Sequence, residues 1–502
     1  MKKGNPITND SARNHDPQGF ALADALAVLV AEKAIATVLL PGPSGLVAHE
    51  PRLAGSLLSG SFTGARLDSR QLLAGEMFVA LPGDHVHGRQ FAQSWLATGG
   101  WVLTDSHAGD EPLLAAAAAA GGGVFVCPDA QLALGLLARA WRDRLDVRVV
   151  AVTGTNGKTT TKDFLVALLS GGGLTHGTAG NFNNFLGLPL TLLGLRAEHR
   201  FAVIEMGASA GGEIDYLAGL AGPEVGIITN ASPAHLAEFG SLAGIITGKG
   251  ELLDHLPVSG TAILNTESPG WDQWRQRAQC RVVSLGKNSG DHRWAWQVGS
   301  GGATLQLDQI EWPVPLPGEH NAANLAAAIL AARELGLTDT EIRQGLLSFV
   351  GSPHRGVQLK IGGRTILDDA YNANPISMLA AVQSLLAMAA VGAVGRSIAV
   401  LGHMAELGPD GVEIHRKTGG DLAATGLMDL VVVGEAARPM GEGFDAAGGT
   451  THYCAAVEEA ARWLVDHSQP GDSLLLKGSR SAAMEKILPL LIEACGNDGT
   501  QD

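Results

Sequence analysis

VRVVAVTGTNGKTTTKDFLVALLS (Val147–Ser170) sets a strand, a glycine-bearing turn and a helix in unbroken succession. The run VRVVAV is short, continuous and apolar apart from Arg148, which is how a buried parallel strand reads. A glycine-rich turn from such a strand into a helix presents backbone N–H groups to phosphate oxygens. The turn is Gly154-Thr155-Asn156-Gly157-Lys158-Thr159-Thr160. Lys158 can reach the β and γ phosphates of a nucleotide, and the Thr159 hydroxyl can hold Mg²⁺. The position five before Gly157 is Val152 rather than glycine, so the full Walker pattern is incomplete. A glycine turn without a ligand is the competing explanation.

The same grammar continues on both sides. FAVIEM (Phe201–Met206) and VGIIT (Val225–Thr229) are further buried strands. Glu205 ends the first of them where a metal-binding carboxylate is needed, and His235 follows the second at a similar offset. Taken singly, a solvated Glu and a structural His compete with those roles; both belong at the sheet edge beside the loop. After residue 351 a second series, TILDDA, SIAVLG, LVVVG and SLLLKG, alternates with helical stretches such as Ser377–Ala390 and Ala455–His467. GSPHRG (Gly351–Gly356) lies between the series and predicts a hinge. The expected fold is therefore α/β in three domains. A small α/β domain spans 51–135, a central doubly wound phosphate-loop domain 136–350 and a Rossmann-like domain 351–502. Residues 1–50 read as a partly disordered extension.

Composition narrows the function. Of 502 residues, 46% are hydrophobic and 17% charged, enough to bury several cores. Asp and Glu number 50 against 35 Lys and Arg, which argues against a nucleic-acid binder and for small-molecule ligands. Cys127, Cys280, Cys454 and Cys495 show no metal or disulfide spacing, and the first 20 residues lack the apolar core of a signal peptide. Residues 113–126 are too short an apolar run to span a membrane and predict a helix leading into a strand. A cytoplasmic enzyme is expected.

Taken with LDSR (Leu67–Arg70), FVALPGDHVHGRQF (Phe78–Phe91), GNFNNFLGLP (Gly180–Pro189), GKGELL (Gly248–Leu253), GEHNAANLAAA (Gly318–Ala328), DDAYNANP (Asp368–Pro375), LGHMAELG (Leu401–Gly408) and KGSRSAAME (Lys477–Glu485), these features resemble the Mur ligases from about Gly64 to Lys486. The last third resembles the branch that adds D-alanyl-D-alanine to UDP-N-acetylmuramoyl-tripeptide with ATP and Mg²⁺, two ions by resemblance. A relative adding another amino acid, a folate-type polyglutamate ligase and a catalytically silent ligase-like binding protein are the rivals. The N-terminal blocks argue against the folate type, and retention of Lys158, Thr159, Glu205, His235 and Lys249 against the silent one.

The resemblance implies that the N-terminal domain holds the uridine nucleotide through Ser69 and Arg70, where a DSR turn would otherwise suffice. Asn181 and Asn184 match asparagines near the muramoyl substrate. Asn321 and Asn324, one helical turn apart, match an adenine-side pair, with helix capping the alternative for Asn321. Arg355 matches a γ-phosphate contact, Asp369 a ribose or adenine contact, and Tyr371, Asn372 and Asn374 the dipeptide pocket. Arg355 and Asp369 are expected to act only after domain closure. Lys249 matches a lysine near the second metal, where a carbamylated side chain would reconcile it with Mg²⁺; a surface lysine is the alternative. A monomer is expected. Three positions depart from the family pattern: His403 stands for an aspartate, His87-Gly88-Arg89 for DGH, and His354 for a glycine before the arginine.

Overall fold

A computed structural model describes residues 19–42, 45–83, 86–105, 122–233, 236–299, 302–392 and 395–500. The chain divides into two compact units: residues 1–147 with 185–199, and residues 148–184 with 200–502.

The first unit is built on a six-stranded sheet. Ala65–Arg66, Met77–Ala80, Trp101–Asp105 and Gly123–Cys127 run parallel, and Thr37–Gly42 joins Gly123–Cys127 antiparallel, followed by Gly45–His49. The expectation of an extension reaching residue 50 is thereby corrected. Val38 and Leu39 are buried in this sheet, and the helix Leu22–Ala31 buries Leu22, Ala25, Leu26 and Leu29. The two short strands carry too little periodicity to stand out. Residues 1–18 and 106–121, with the predicted tail and the helical part of 113–126, lie outside the described residues. The helix Gly187–Leu193 also belongs here: all seven of its residues are buried, and it packs on Ala130–Arg142. Trp141 Nε1 donates to the Leu195 carbonyl at 3.1 Å beside it.

The second unit holds two sheets. In the nine-stranded one, Thr175–Gly177, Phe201–Glu205, Arg148–Thr153, Val225–Ile228, Thr261–Asn265 and Arg281–Gly286 lie side by side and parallel, and the meander His292–Gly299, Gly302–Leu307 and Ile310–Val314 extends the far edge. Val149 to Val152 are fully buried, so the strand beneath the loop is dry on both faces. Its successor, the helix Lys158–Ser170, packs on the alanine-rich helix Glu319–Glu334, whose small side chains allow close approach. Burying Phe164 there contributes about 1.5–3 kcal/mol.

The seven-stranded sheet runs Thr450–Cys454, Asp429–Val433, Ser397–Leu401, Ser473–Lys477, Arg364–Asp369, Val357–Ile361 and Asn497–Thr500, with the first five parallel. The four strands expected after residue 351 are all present; Val357–Ile361 and the edge strands were not anticipated. In both sheets the crossovers reverse direction, beside Arg148–Thr153 in one and between Ser397–Leu401 and Ser473–Lys477 in the other. The carboxyl ends of strands at such reversals are where α/β proteins bind ligands.

Candidate active site

The loop is held open for a ligand by contacts with its neighbours. Gly154 has φ 142°, and a Cβ there would stand 2.0 Å from Thr229 Oγ1; Gly157 has φ 80°, and a Cβ would stand 2.5 Å from Asn324 Oδ1. Only glycine meets both demands. Thr229 Oγ1 donates to the Asn156 carbonyl at 2.6 Å, and Asn230 Oδ1 accepts from Asn156 N at 3.0 Å. Lys158 Nζ folds back onto the Gly154 and Thr155 carbonyls at 2.9 and 3.0 Å. Burial pulls its ammonium below the usual lysine range; the Glu205 carboxylate opposes that shift and the Arg355 guanidinium reinforces it.

Glu205 is buried at the end of its strand. Its Oε1 accepts from Asn183 Nδ2 at 2.7 Å, and its Oε2 has no hydrogen-bond partner. The competing reading of a solvated Glu is therefore overturned. An orphaned carboxylate oxygen near the buried Thr159 fits Mg²⁺, which takes one or two carboxylates and completes its shell with water and phosphate. Among the described residues no cluster of three or more His, Cys, Asp or Glu forms a ready-made cage. His235 lies outside the described residues.

Lys249 is buried, 3% exposed, so the surface alternative is wrong. It sits in the helix Leu242–Gly250, donates from Nζ to the Ala208 carbonyl at 3.0 Å and lies 5.2 Å from the centre of the Phe239 ring. Burial and the charge on Lys158 pull its pKa down to about 7.

A cleft of about 870 Å³ joins the loop to the carboxyl ends of the seven-stranded sheet. It brings together the phosphate loop from Thr155 to Thr160, Glu205, Asn321, Asn324, Arg355, Asp369, Tyr371, Asn372 and Asn374. Arg355 and Asp369 both face the cleft that Lys158 lines. Asn374 Nδ2 donates to Asn156 Oδ1 at 2.6 Å across it. Asn321 is not a cap: Gly318 holds that position, and Asn321 Nδ2 turns back to the Pro317 carbonyl at 2.7 Å. The Arg355 guanidinium lies 3.7 Å above the centre of the Tyr371 ring.

Asn181 and Asn184 are exposed, and it is Asn183 between them that reaches the cleft. Choosing among three asparagines in six residues needed the partner, Glu205. Lys477 was also missed. It is 3% exposed at the end of Ser473–Lys477, and its Nζ bonds Asp369 Oδ2 at 2.5 Å and the Asn372 carbonyl at 2.9 Å. A lysine closing an apolar strand run was the available signal. In the first unit, Ser69 and Arg70 open a 3-10 turn; Arg70 is largely exposed and its guanidinium grips Asp68 at 2.8 and 2.9 Å, holding that carboxyl at about 2.

The departures from the family pattern have partners. His87 Nδ1 accepts from Arg89 N, so Nε2 donates to Asp105 at 2.8 Å. His403 Nε2 meets Ser481 Oγ at 2.9 Å, and His354 Nδ1 meets Asp368 Oδ2 at 2.7 Å.

Replacing Lys477 by methionine leaves Asp369 and the Asn372 carbonyl facing a mostly dry wall. It should lower stability by about 1–3 kcal/mol, read as a lower urea midpoint at unchanged slope. An unchanged midpoint would show that the pair does not hold this wall together.

A phosphate loop, a buried carboxylate with a spare oxygen and two cations, Lys158 and Arg355, around one cleft define a nucleotide-dependent group-transfer enzyme. The Mur ligase middle domain matches residues 152–332 and the Mur ligase glutamate ligase domain residues 355–480. The chain is 36% identical to the UDP-N-acetylmuramoyl-tripeptide--D-alanyl-D-alanine ligase of Escherichia coli K12, over 87% of this chain and 97% of that one. A crystal structure of MurF from Acinetobacter baumannii superposes with a TM-score of 0.75 at 34% identity, covering 86% of this chain and 94% of that one. MurF from Thermotoga maritima in complex with ADP gives a TM-score of 0.74 at 26% identity, covering 86% and 97%. The chain belongs to the Mur ligase family.

Proposed function

We infer that this ligase joins D-alanyl-D-alanine to UDP-N-acetylmuramoyl-tripeptide, with ATP as the energy source, to give the pentapeptide nucleotide of peptidoglycan synthesis. The observation that carries the reading is Lys477, buried against Asp369 and Asn372 of DDAYNANP in the same cleft as the phosphate loop. By fixing Asp369 and the Asn372 carbonyl it shapes an asparagine-lined pocket for a zwitterionic dipeptide.

The substrate carboxylate attacks the γ-phosphorus and ADP leaves; the dipeptide amine then attacks the acyl phosphate carbon, phosphate leaves and the amine proton is released. Lys158 and Arg355 stabilise charge on the phosphoryl oxygens from two directions, and such electrostatics supply most of the catalysis of phosphoryl transfer. Closure of the cleft around bound substrates excludes water that would hydrolyse the acyl phosphate. Asn321 and Asn324 serve the adenine side, Asn181 and Asn184 the muramoyl side, Ser69 and Arg70 the uridine nucleotide. Thr159, Glu205 and His235 are the metal-side groups, and bound Mg²⁺ supplies charge neutralisation on the phosphates. Lys249 serves a second ion as its carbamate, formed when the neutral amine adds CO₂ and loses a proton. We take the enzyme to act as a monomer. Among the described residues no helix is long and apolar enough to cross a membrane, and nucleotide substrates support a cytoplasmic enzyme.

The test is phosphate release with nucleotide-tripeptide acceptors differing at the third residue, each with and without D-alanyl-D-alanine. Release should require acceptor, dipeptide and ATP together. Equal release with single amino acids would assign the chain to another branch, and none with any acceptor would leave a binding protein.

A further inference from the structure

His354 stands at φ +62°, a left-handed conformation that side chains with a Cβ adopt rarely and that persists only where the surroundings over-determine it. Three ties do so here. The ring bonds the buried Asp368 at 2.7 Å, the His354 carbonyl accepts from Tyr371 N at 3.0 Å, and Gly356 follows at φ 74°. Asp368 in turn accepts from Ala370 N at 3.4 Å, so the carboxylate is fixed from the turn that follows its strand. The next residue after His354 is Arg355, stacked on the same Tyr371 whose amide closes the clasp.

The other side of the hinge segment is anchored as well. Ser352 Oγ donates to Asp163 Oδ2 at 2.6 Å, and Asp163 pairs with the buried Lys162, both in the helix that follows the phosphate loop. Only Pro353 separates the anchor on that helix from the anchor on the seven-stranded sheet. A glycine at 354 would suit the backbone but would leave Asp368 without its ring partner.

We propose that His354 is a positioning residue for Arg355, its ring clasped by Asp368 so that the left-handed backbone aims the guanidinium into the cleft. The inference rests on Arg355 being the cation that meets the transferred phosphoryl group. If the pair only stabilised the fold, its loss would shift unfolding and leave Arg355-dependent catalysis alone.

The experiment compares His354→Gly, His354→Asn, Arg355→Lys and the Gly–Lys double variant in the full chain, by thermal unfolding and by kcat and KM for each substrate. Glycine keeps the φ and removes the clasp. It should lower kcat on the order of ten- to a hundredfold with KM little changed, as small misplacements of catalytic groups do. Asparagine, which tolerates the left-handed region, should recover part of the loss, and the double variant should fall no lower than Arg355→Lys alone. Wild-type kcat in His354→Gly, or losses that multiply in the double variant, would overturn the proposal. Should the glycine variant fail to fold, kcat of His354→Asn decides, with the wild-type value again overturning it. Wild-type kcat in Arg355→Lys and Arg355→Ala would instead remove the role of Arg355 on which it rests.

Discussion

Lys158→Ala should leave the protein folded and lower turnover on the order of a hundred- to a thousandfold, the usual consequence of deleting a pre-organised electrostatic stabiliser. In the structure Lys158 Nζ donates to the two loop carbonyls named above, so among the described residues truncation breaks no hydrogen bond to a buried carboxylate. Alanine is also the best residue for the first turn of the helix Lys158–Ser170. Loss of rate without loss of stability is therefore the signature. It is read from kcat and from a thermal unfolding curve on the same sample; near-normal turnover with unchanged unfolding would remove Lys158 from the chemistry.

Lys249→Ala should be nearly as damaging, and formate or acetate should restore part of the activity by filling the vacated anion position. The reason is the pKa of about 7, which leaves much of the amine neutral near neutral pH and able to add CO₂. Below about 7 the ammonium dominates, the carbamate cannot form, and wild-type activity should fall. Stability carries the same sign. The folded state holds this base at about 7 against an ordinary 10.5, so between those values the unfolded chain binds more protons and stability rises with pH. Lys249→Met should flatten that rise. Full activity of Lys249→Ala in CO₂-depleted buffer would end the carbamate assignment.

What was legible in the sequence tracks how local each signal is. The phosphate loop is a contiguous strand, turn and helix, and its residues lie where their order implies. The seven parallel strands named from the sequence are apolar runs that need no partner to be recognised, whereas the parallel strands Thr175–Gly177 and Thr450–Cys454 are not. Lys477 escaped because its meaning is its bond to Asp369, 108 positions away. Asn183 escaped for the same reason, being distinguished from Asn181 and Asn184 only by Glu205 across 22 positions. The meander from His292 to Val314 is half exposed, so its alternating pattern lacks the continuous apolar run that marks its parallel neighbours. Burial of Lys249 could not be read from a helix with two glycines beside it.

Residues 185–199 give this enzyme an unusual constraint on recombination. The backbone leaves the second unit after Asn184, contributes the helix Gly187–Leu193 to the first, and returns at Arg200. No single junction therefore separates the two units. A graft of residues 148–502 onto a foreign N-terminal unit would carry a fully buried helix, apolar except for Thr191, shaped for Ala130–Arg142, and a foreign surface would have to accommodate it. Exchange between relatives is confined to pieces that keep Ala130–Arg142 and Gly187–Leu193 together, which makes the first 199 residues, rather than the first 147, the smallest cassette that conserves this packing.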